Sequence, residues 1–236
     1  MILQSSEWED WLIDIINAGY IRGMHLIIWI AAISLMYVAA AVFLVRSSKE
    51  GLLVSQIWIF RSFALFFILM GFTRICFVLG YFIESYYNFL LALGYAFAAL
   101  SLLPLVFVLE KWLIKWSKRI FSILGIALTV LSFYFVFFDV SSSELSRTIQ
   151  TIGMPFMAIS FVILYAYMIK NTVGDVRKKA IITLVGMFVF VVGILLDGEA
   201  LLSSFYGTPL LIPMLCLSPV VFIIGILMIT IAQKTD

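Results

Sequence analysis

The chain reads as an all-α, polytopic transmembrane helical bundle of seven spans, N-terminus outside and C-terminus cytoplasmic, on three observations. Hydrophobic residues make up 64% of its 236 residues and charged residues only 12%, against about 45–50% and 25% in ordinary soluble domains. The apolar residues gather in runs of the roughly 20 residues that a helix needs to cross a hydrocarbon layer of ~30 Å. The basic residues fall on alternate loops. A closed barrel is excluded, because it needs alternating segments of about ten residues and these runs are continuous and longer.

Ahead of the first run, residues 1–23 predict an outer amphipathic interfacial helix. Trp8, Trp11, Leu12, Ile15 and Ile16 recur at helical spacing, Glu7, Asp10 and Asp14 lie elsewhere on the wheel, and Ser5 or Ser6 can cap its start. The opening MILQSSEWEDWLID is acidic, without a basic region or small-residue cleavage site, so the first span is expected to be retained. Residues 24–236 then form the transmembrane domain, with spans at 24–45, 57–82, 88–109, 120–138, 151–169, 180–203 and 209–232. Trp112 and Trp116, beside Lys111, Lys115 and Lys118, suit the inner interface. No loop is long enough to be a soluble domain, so any activity resides in the bundle or at its mouth.

Orientation follows from charge. Arg46, Lys49, Lys111, Lys115, Lys118, Arg119, Lys170, Arg177, Lys178, Lys179 and Lys234 fall on one side, only Arg22 and Arg147 on the other, and Arg61 and Arg74 inside the second span. Basic loops stay in the cytoplasm, which places the N-terminus outside for an odd number of spans and makes the cell membrane the expected location. The net charge of +2 arises in short loops and forms no patch for nucleic acid. The partners expected are the lipid bilayer, a small-molecule ligand, or a membrane or cytoplasmic protein.

Internal organisation is suggested by a three plus one plus three division. Each triplet has a basic first loop, a second helix with ionisable residues in its outer part, and a third with proline after serine, as in Ser101 to Pro104 and Ser218-Pro219. This hints at a parallel repeat. Gly94, Ala98, Ser101 and Leu105 share a face of the third span, and Gly186, Gly193, Asp197, Ala200 and Ser204 share one of the sixth, as close helix packing in lipid favours.

The residues that break the apolar pattern are the candidates for function. Arg74 lies 13 residues beyond Arg61, roughly 20 Å further along the helix. Both cannot reach headgroups. With Arg61 at the inner boundary, Arg74 lies in the outer half of the membrane, where a charge costs about 2.5–3.5 kcal/mol near midplane. It therefore needs a partner. Asp197, on the small-residue face, is the first candidate, with Glu84 and Glu199 as alternatives. Pro104 and Pro219 are hinge candidates, since proline frees a carbonyl one turn earlier.

Cys76 and Cys216 fall within spans and suit packing. His25, the single histidine, is placed at the outer interface, and one histidine makes no metal site. No cofactor is expected. The last span holds no lysine for retinal, an Asn/Asp-Pro motif and an extracellular cysteine pair of rhodopsin-like receptors are missing, and neither several histidines nor Gly-x-Ser-x-Gly is present for a hydrolase. The expectation is not an enzyme.

The stretch ALSLLPLVFVLEKWLIKWSKRIFSILGIALTV, with FALFFILMGFTRICFVLGYF before it, resembles uncharacterised archaeal seven-helix membrane proteins. The layout is also similar to the seven-helix sensor modules that precede some histidine kinases, which implies a sensing role. The leading expectation is a small receptor- or sensor-like protein with an outward cavity near Arg74 and Asp197. The alternatives are a transporter of a small polar or anionic solute and a membrane scaffold.

Overall fold

The computed structural model describes residues 19–112, 117–138, 153, 159, 161–197, 201, 205 and 210–233. Most of the N-terminal amphipathic segment, Arg147, Glu199, Ala200, Ser204 and Lys234 lie outside the described residues. Every regular element among the described residues is helical: α1 Gly19–Ser47, α2 Val54–Phe82, a 3-10 turn Glu84–Tyr86, α3 Tyr87–Trp112, α4 Ile120–Phe138, the shorter α5 Phe161–Asn171, α6 Gly174–Leu196 and α7 Leu211–Ala232. The six α-helices other than α5 are long and apolar enough to cross a membrane. Only the second part of the expected fifth span is described as α5, together with helical Gly153 and Ile159.

The side chains that face outward are as apolar as the core. Phe138 is 76% exposed, and Ile27, Val45, Ile123, Val130 and Ile231 also stand clear of the protein. Such a surface would be unstable in water and is at home in hydrocarbon. The chain is a membrane-spanning helical protein.

Helices α4, α3, α2, α1, α7 and α6 neighbour one another in that order. Phe161, Leu164 and Tyr165 of α5 join the same buried core. Lipid is no less apolar than leucine, so the helices associate through close packing rather than expulsion of water. On α1, Ala32, Met36, Ala39, Ala40 and Phe43 form one buried face. Phe43 lies with its ring centroid 5.1 Å from Phe63 and 5.8 Å from Phe67, stacked on both. Phe66 of α2 meets Phe190 of α6 at 5.5 Å across the middle of the molecule.

The tightest seam joins α6 and α7. Gly186 and Gly193 on one helix, and Ser218 and Gly225 on the other, each recur after seven residues, about two helical turns, and so share a face. A Cβ added at Gly225 would lie 2.8 Å from the backbone nitrogen of Phe190, and one at Gly193 would lie 2.8 Å from the Phe222 ring. The seam is closed further by the Ser218 hydroxyl, which donates to the Gly193 carbonyl at 2.9 Å. At the far end, Gln233 Nε2 donates to Thr183 Oγ1 at 2.8 Å, and Arg46 of α1 donates to the Thr230 carbonyl at 2.7 Å.

One boundary departs from the sequence reading. The sixth span is expected at 180–203, but α6 begins at Gly174 and ends at Leu196. Val173 is extended and Gly174 turns the chain with φ +63°. The basic residues Arg177, Lys178 and Lys179 then occupy the first turns of the helix, because long charged side chains can run along its surface towards water.

Candidate functional site

Arg74 projects from α2 two turns before its end, and Asp197 is the residue that caps the C-terminus of α6. The two form a salt bridge through one guanidinium nitrogen, Nη1, and one carboxylate oxygen, Oδ2. Their side chains are only 3% and 11% exposed. The pair therefore ties two helices that are not neighbours in sequence. Its setting is aromatic on several sides. The guanidinium carbon lies 4.7 Å from the ring centroid of Trp29 on α1, 4.3 Å from that of Phe222 on α7 and 5.4 Å from that of Phe77 on α2. Rings placed this way attract a cation by about 0.5–1 kcal/mol when exposed and about 2 when desolvated. They supply part of what Arg74 loses on leaving water.

The pairing leaves Arg74 incompletely satisfied and sets Asp197 against its own helix. Arg74 Nε is buried and has no hydrogen-bond acceptor among the described residues. A guanidinium offers five donors in a planar fork, and the matching grip of an anion is bidentate, whereas Asp197 meets it through one pair of atoms. Asp197 in turn stands at the C-terminus of α6, the negative end of the helix dipole, where a carboxylate is disfavoured. Arg74 holds the carboxylate there.

Residues packed around the pair shape this end. Trp29 Nε1 donates to His25 Nε2 at 3.1 Å, which leaves the imidazole proton on Nδ1. His25 is buried and edge-on to Tyr81 at 6.2 Å. The sequence reading puts His25 at the interface; the structure turns it inward because the indole one helical turn along offers it a partner. Trp29 also packs edge-on against Phe222 at 5.4 Å, and Phe222 against Phe190 at 4.6 Å. A continuous aromatic column thus runs from the ion pair towards the centre of α6.

The structure brings together Arg74 and Asp197 from the candidate residues. Glu199 lies outside the described residues, and Glu84 falls in the turn after α2 with its side chain likewise outside them. Pro104 and Pro219 both lie inside helices. Pro219 provides no N–H for the Leu215 carbonyl, yet its neighbour Ser218 is bonded to α6, so the interrupted turn is braced. Trp29, Phe77, Phe222 and His25 were not legible as site residues. One signal existed: Trp29 is a tryptophan well inside a span, about as far from the N-terminal end of α1 as Arg74 is from the C-terminal end of α2.

A separate buried carboxylate lies at the opposite end. Glu110, 3% exposed near the end of α3, accepts hydrogen bonds from the backbone N–H groups of Phe121 at 3.2 Å and Ser122 at 2.7 Å, and from the Ser122 hydroxyl. These are the first turns of α4, where amides lack helical acceptors and the dipole is positive. Glu110 is thus an N-cap supplied from the preceding helix.

Fold and site together define a polytopic helical membrane protein in which a buried, aromatic-walled ion pair links α2 to the end of α6. No family model matches the chain, and comparison with curated proteins and with solved structures finds no match.

Proposed function

We propose that this protein is a small receptor- or sensor-like seven-helix protein of the cell membrane, whose ligand is a small anionic molecule competing with Asp197 for Arg74. The observation that carries this reading is the single-point grip of Asp197 on a guanidinium whose buried Nε has no partner among the described residues. A carboxylate or phosphate group could take the bidentate grip that Asp197 leaves unused. Asp197 would then face the negative end of its own helix without compensation and would move or take up a proton. A ligand shifts a two-state protein only through its different affinity for the two states, and this exchange of partners supplies that difference.

The displacement has a route across the molecule. The α6–α7 seam is too closely packed to bend independently, so a shift at Asp197 moves the two helices together. Their other ends carry the bonds from Gln233 to Thr183 and from Arg46 to Thr230, beside the basic loops that the charge bias assigns to the cytoplasm. Small helix shifts of this kind are a common switching device. On this reading the chain crosses seven times and the charge bias of its loops puts the N-terminus outside, so the Arg74 end faces the exterior.

The test is a thermal-shift screen of purified wild type and Arg74→Met in detergent against small carboxylates, phosphates and neutral analogues. The reading expects at least one anion to raise the Tm of wild type and to leave that of the folded variant unchanged. Stabilisation accompanied by uptake of the same anion into vesicles containing only this protein would make it a transporter instead. If no anion acts on wild type and a protein co-purifies with it, the scaffold reading replaces this one.

A further inference from the structure

Four cationic residues, Arg61, Lys111, Lys118 and Arg119, lie at the basic end of α2, α3 and α4, none in an ion pair with a described carboxylate. Arg61 of α2 and Lys111 of α3 are both drawn to the same indole. The Arg61 guanidinium carbon lies 5.7 Å from the Trp58 ring centroid and Lys111 Nζ lies 6.0 Å from it. The two charges therefore stand no further apart than twice the longer of these distances. Lys111 also lies 5.2 Å from the ring of Trp112, and Arg119, at the start of α4, lies 5.7 Å from that of Phe107. Phe107 and Lys111 are four residues apart on α3 and hence on one face. Lys118 completes the group on the turn into α4.

All four cations are exposed, and none is in an ion pair with a described carboxylate. Local sequence offers almost no acid to pair them. Between residues 50 and 138 the chain has only Glu50, in the loop before α2 and in no ion pair with these four cations, Glu84, at the other end of α2, and Glu110. Glu110 is buried and occupied by the amides and hydroxyl of α4. Exposed cations gathered at one end of three helices attract an anion, and they hold their places on rings that also belong at a membrane interface.

The ground beneath the cations is apolar. Arg61 lies about 10 Å along α2 from its start, inside the span, and Leu65 and Phe72 continue the same exposed face towards the membrane centre. Trp58 is 44% exposed beside them. A polar anion alone would not use this wall, whereas a phospholipid presents a phosphate to the cations and acyl chains to Leu65 and Phe72.

We infer that Trp58, Arg61, Lys111 and Arg119 form a binding site for an anionic phospholipid, its phosphate between the cations and its chains along the outer face of α2. The site lies in the leaflet at the basic end of the helices and is independent of the Arg74 pair. Basic clusters at helix ends recognise anionic headgroups by this combination of charge and interfacial placement.

The test is native mass spectrometry of the purified protein in neutral detergent, with phosphatidylglycerol and phosphatidylcholine of matched acyl chains. Wild type is expected to retain phosphatidylglycerol roughly tenfold better. The double variant Arg61→Gln/Lys111→Gln should lose this preference, while Arg177→Gln/Lys178→Gln, which removes the same charge from α6, should keep it. Lys111→Gln alone, an exposed change at a helix end, reads the same site if the double variant does not fold, and should weaken the preference severalfold. An unchanged preference in the Arg61 and Lys111 variants overturns the assignment, as does an equal loss in the α6 control, which would reduce the effect to total charge.

Discussion

Removing Arg74 leaves Asp197 as an uncompensated carboxylate at the negative end of a helix, with little solvent to receive it. Breaking a buried pair from one side costs about 3–5 kcal/mol, while replacing both partners by apolar groups of similar volume is far milder. Arg74→Met and Asp197→Leu are therefore each expected to destabilise the protein by about that amount, and the double variant by clearly less. Denaturant titration in detergent, followed by circular dichroism, checks the cycle; additive losses would mean that the two residues act separately. Glu110 poses a similar test at the other end. Glu110→Ala strands two amides and a hydroxyl at the start of α4 and should cost about 1–3 kcal/mol, measured as a fall in Tm that Glu110→Gln partly restores. The adjoining Lys118 and Arg119 have φ of 47° and 66°, a region that costs a residue with a Cβ about 1–2 kcal/mol. Arg119→Gly should accordingly be neutral or stabilising, despite the lost charge.

Among the elements, α6 and α7 depend most on the absence of side-chain volume. A methyl group at Gly225 would meet the backbone of α6, which cannot turn aside as a flexible side chain can. Gly225→Ala is expected to destabilise by about 1–3 kcal/mol, the usual range for overpacking. Gly23→Ala is the control, because nothing lies within 4 Å of the added Cβ. Ser218→Ala removes only the bond to Gly193, and interhelical hydrogen bonds in membranes average about 0.6 kcal/mol. Comparing their unfolding midpoints separates the contribution of packing from that of the hydroxyl. The stripe of Gly186 and Gly193 was legible because small residues at helical spacing are unusual in an apolar run. Its partner Gly225 was not, since nothing in the spacing of α7 says which helix it meets.

For the whole molecule, the charge bias and the helix count predict ends on opposite sides of the membrane. A cysteine placed at Ser5 should react with an impermeant maleimide added to intact cells, in a background lacking Cys76 and Cys216, and one at Gln233 should react only after permeabilisation. Labelling of both from the same side would require an even number of crossings, and a cysteine at Ser5 that reacts only after permeabilisation would invert the proposed exposure of the Arg74 end.

The sequence by itself determined that this is a bundle of membrane-spanning helices, because apolar runs of spanning length are an unambiguous response to hydrocarbon as solvent. It also singled out Arg74 and Asp197, since a charge inside such a run is costly enough to demand a reason. Only the tertiary structure decided that these two residues meet, that Trp29 and Phe222 wall them, and that Glu110 caps α4. Aromatic residues are abundant and inexpensive in an apolar helix, so their roles leave no mark on composition. A carboxylate near a helix end likewise looks solvated until the fold brings α4 over it. Partnership between helices depends on rotation and neighbour order, and these are set by side-chain packing among elements whose outer and inner faces are almost equally apolar.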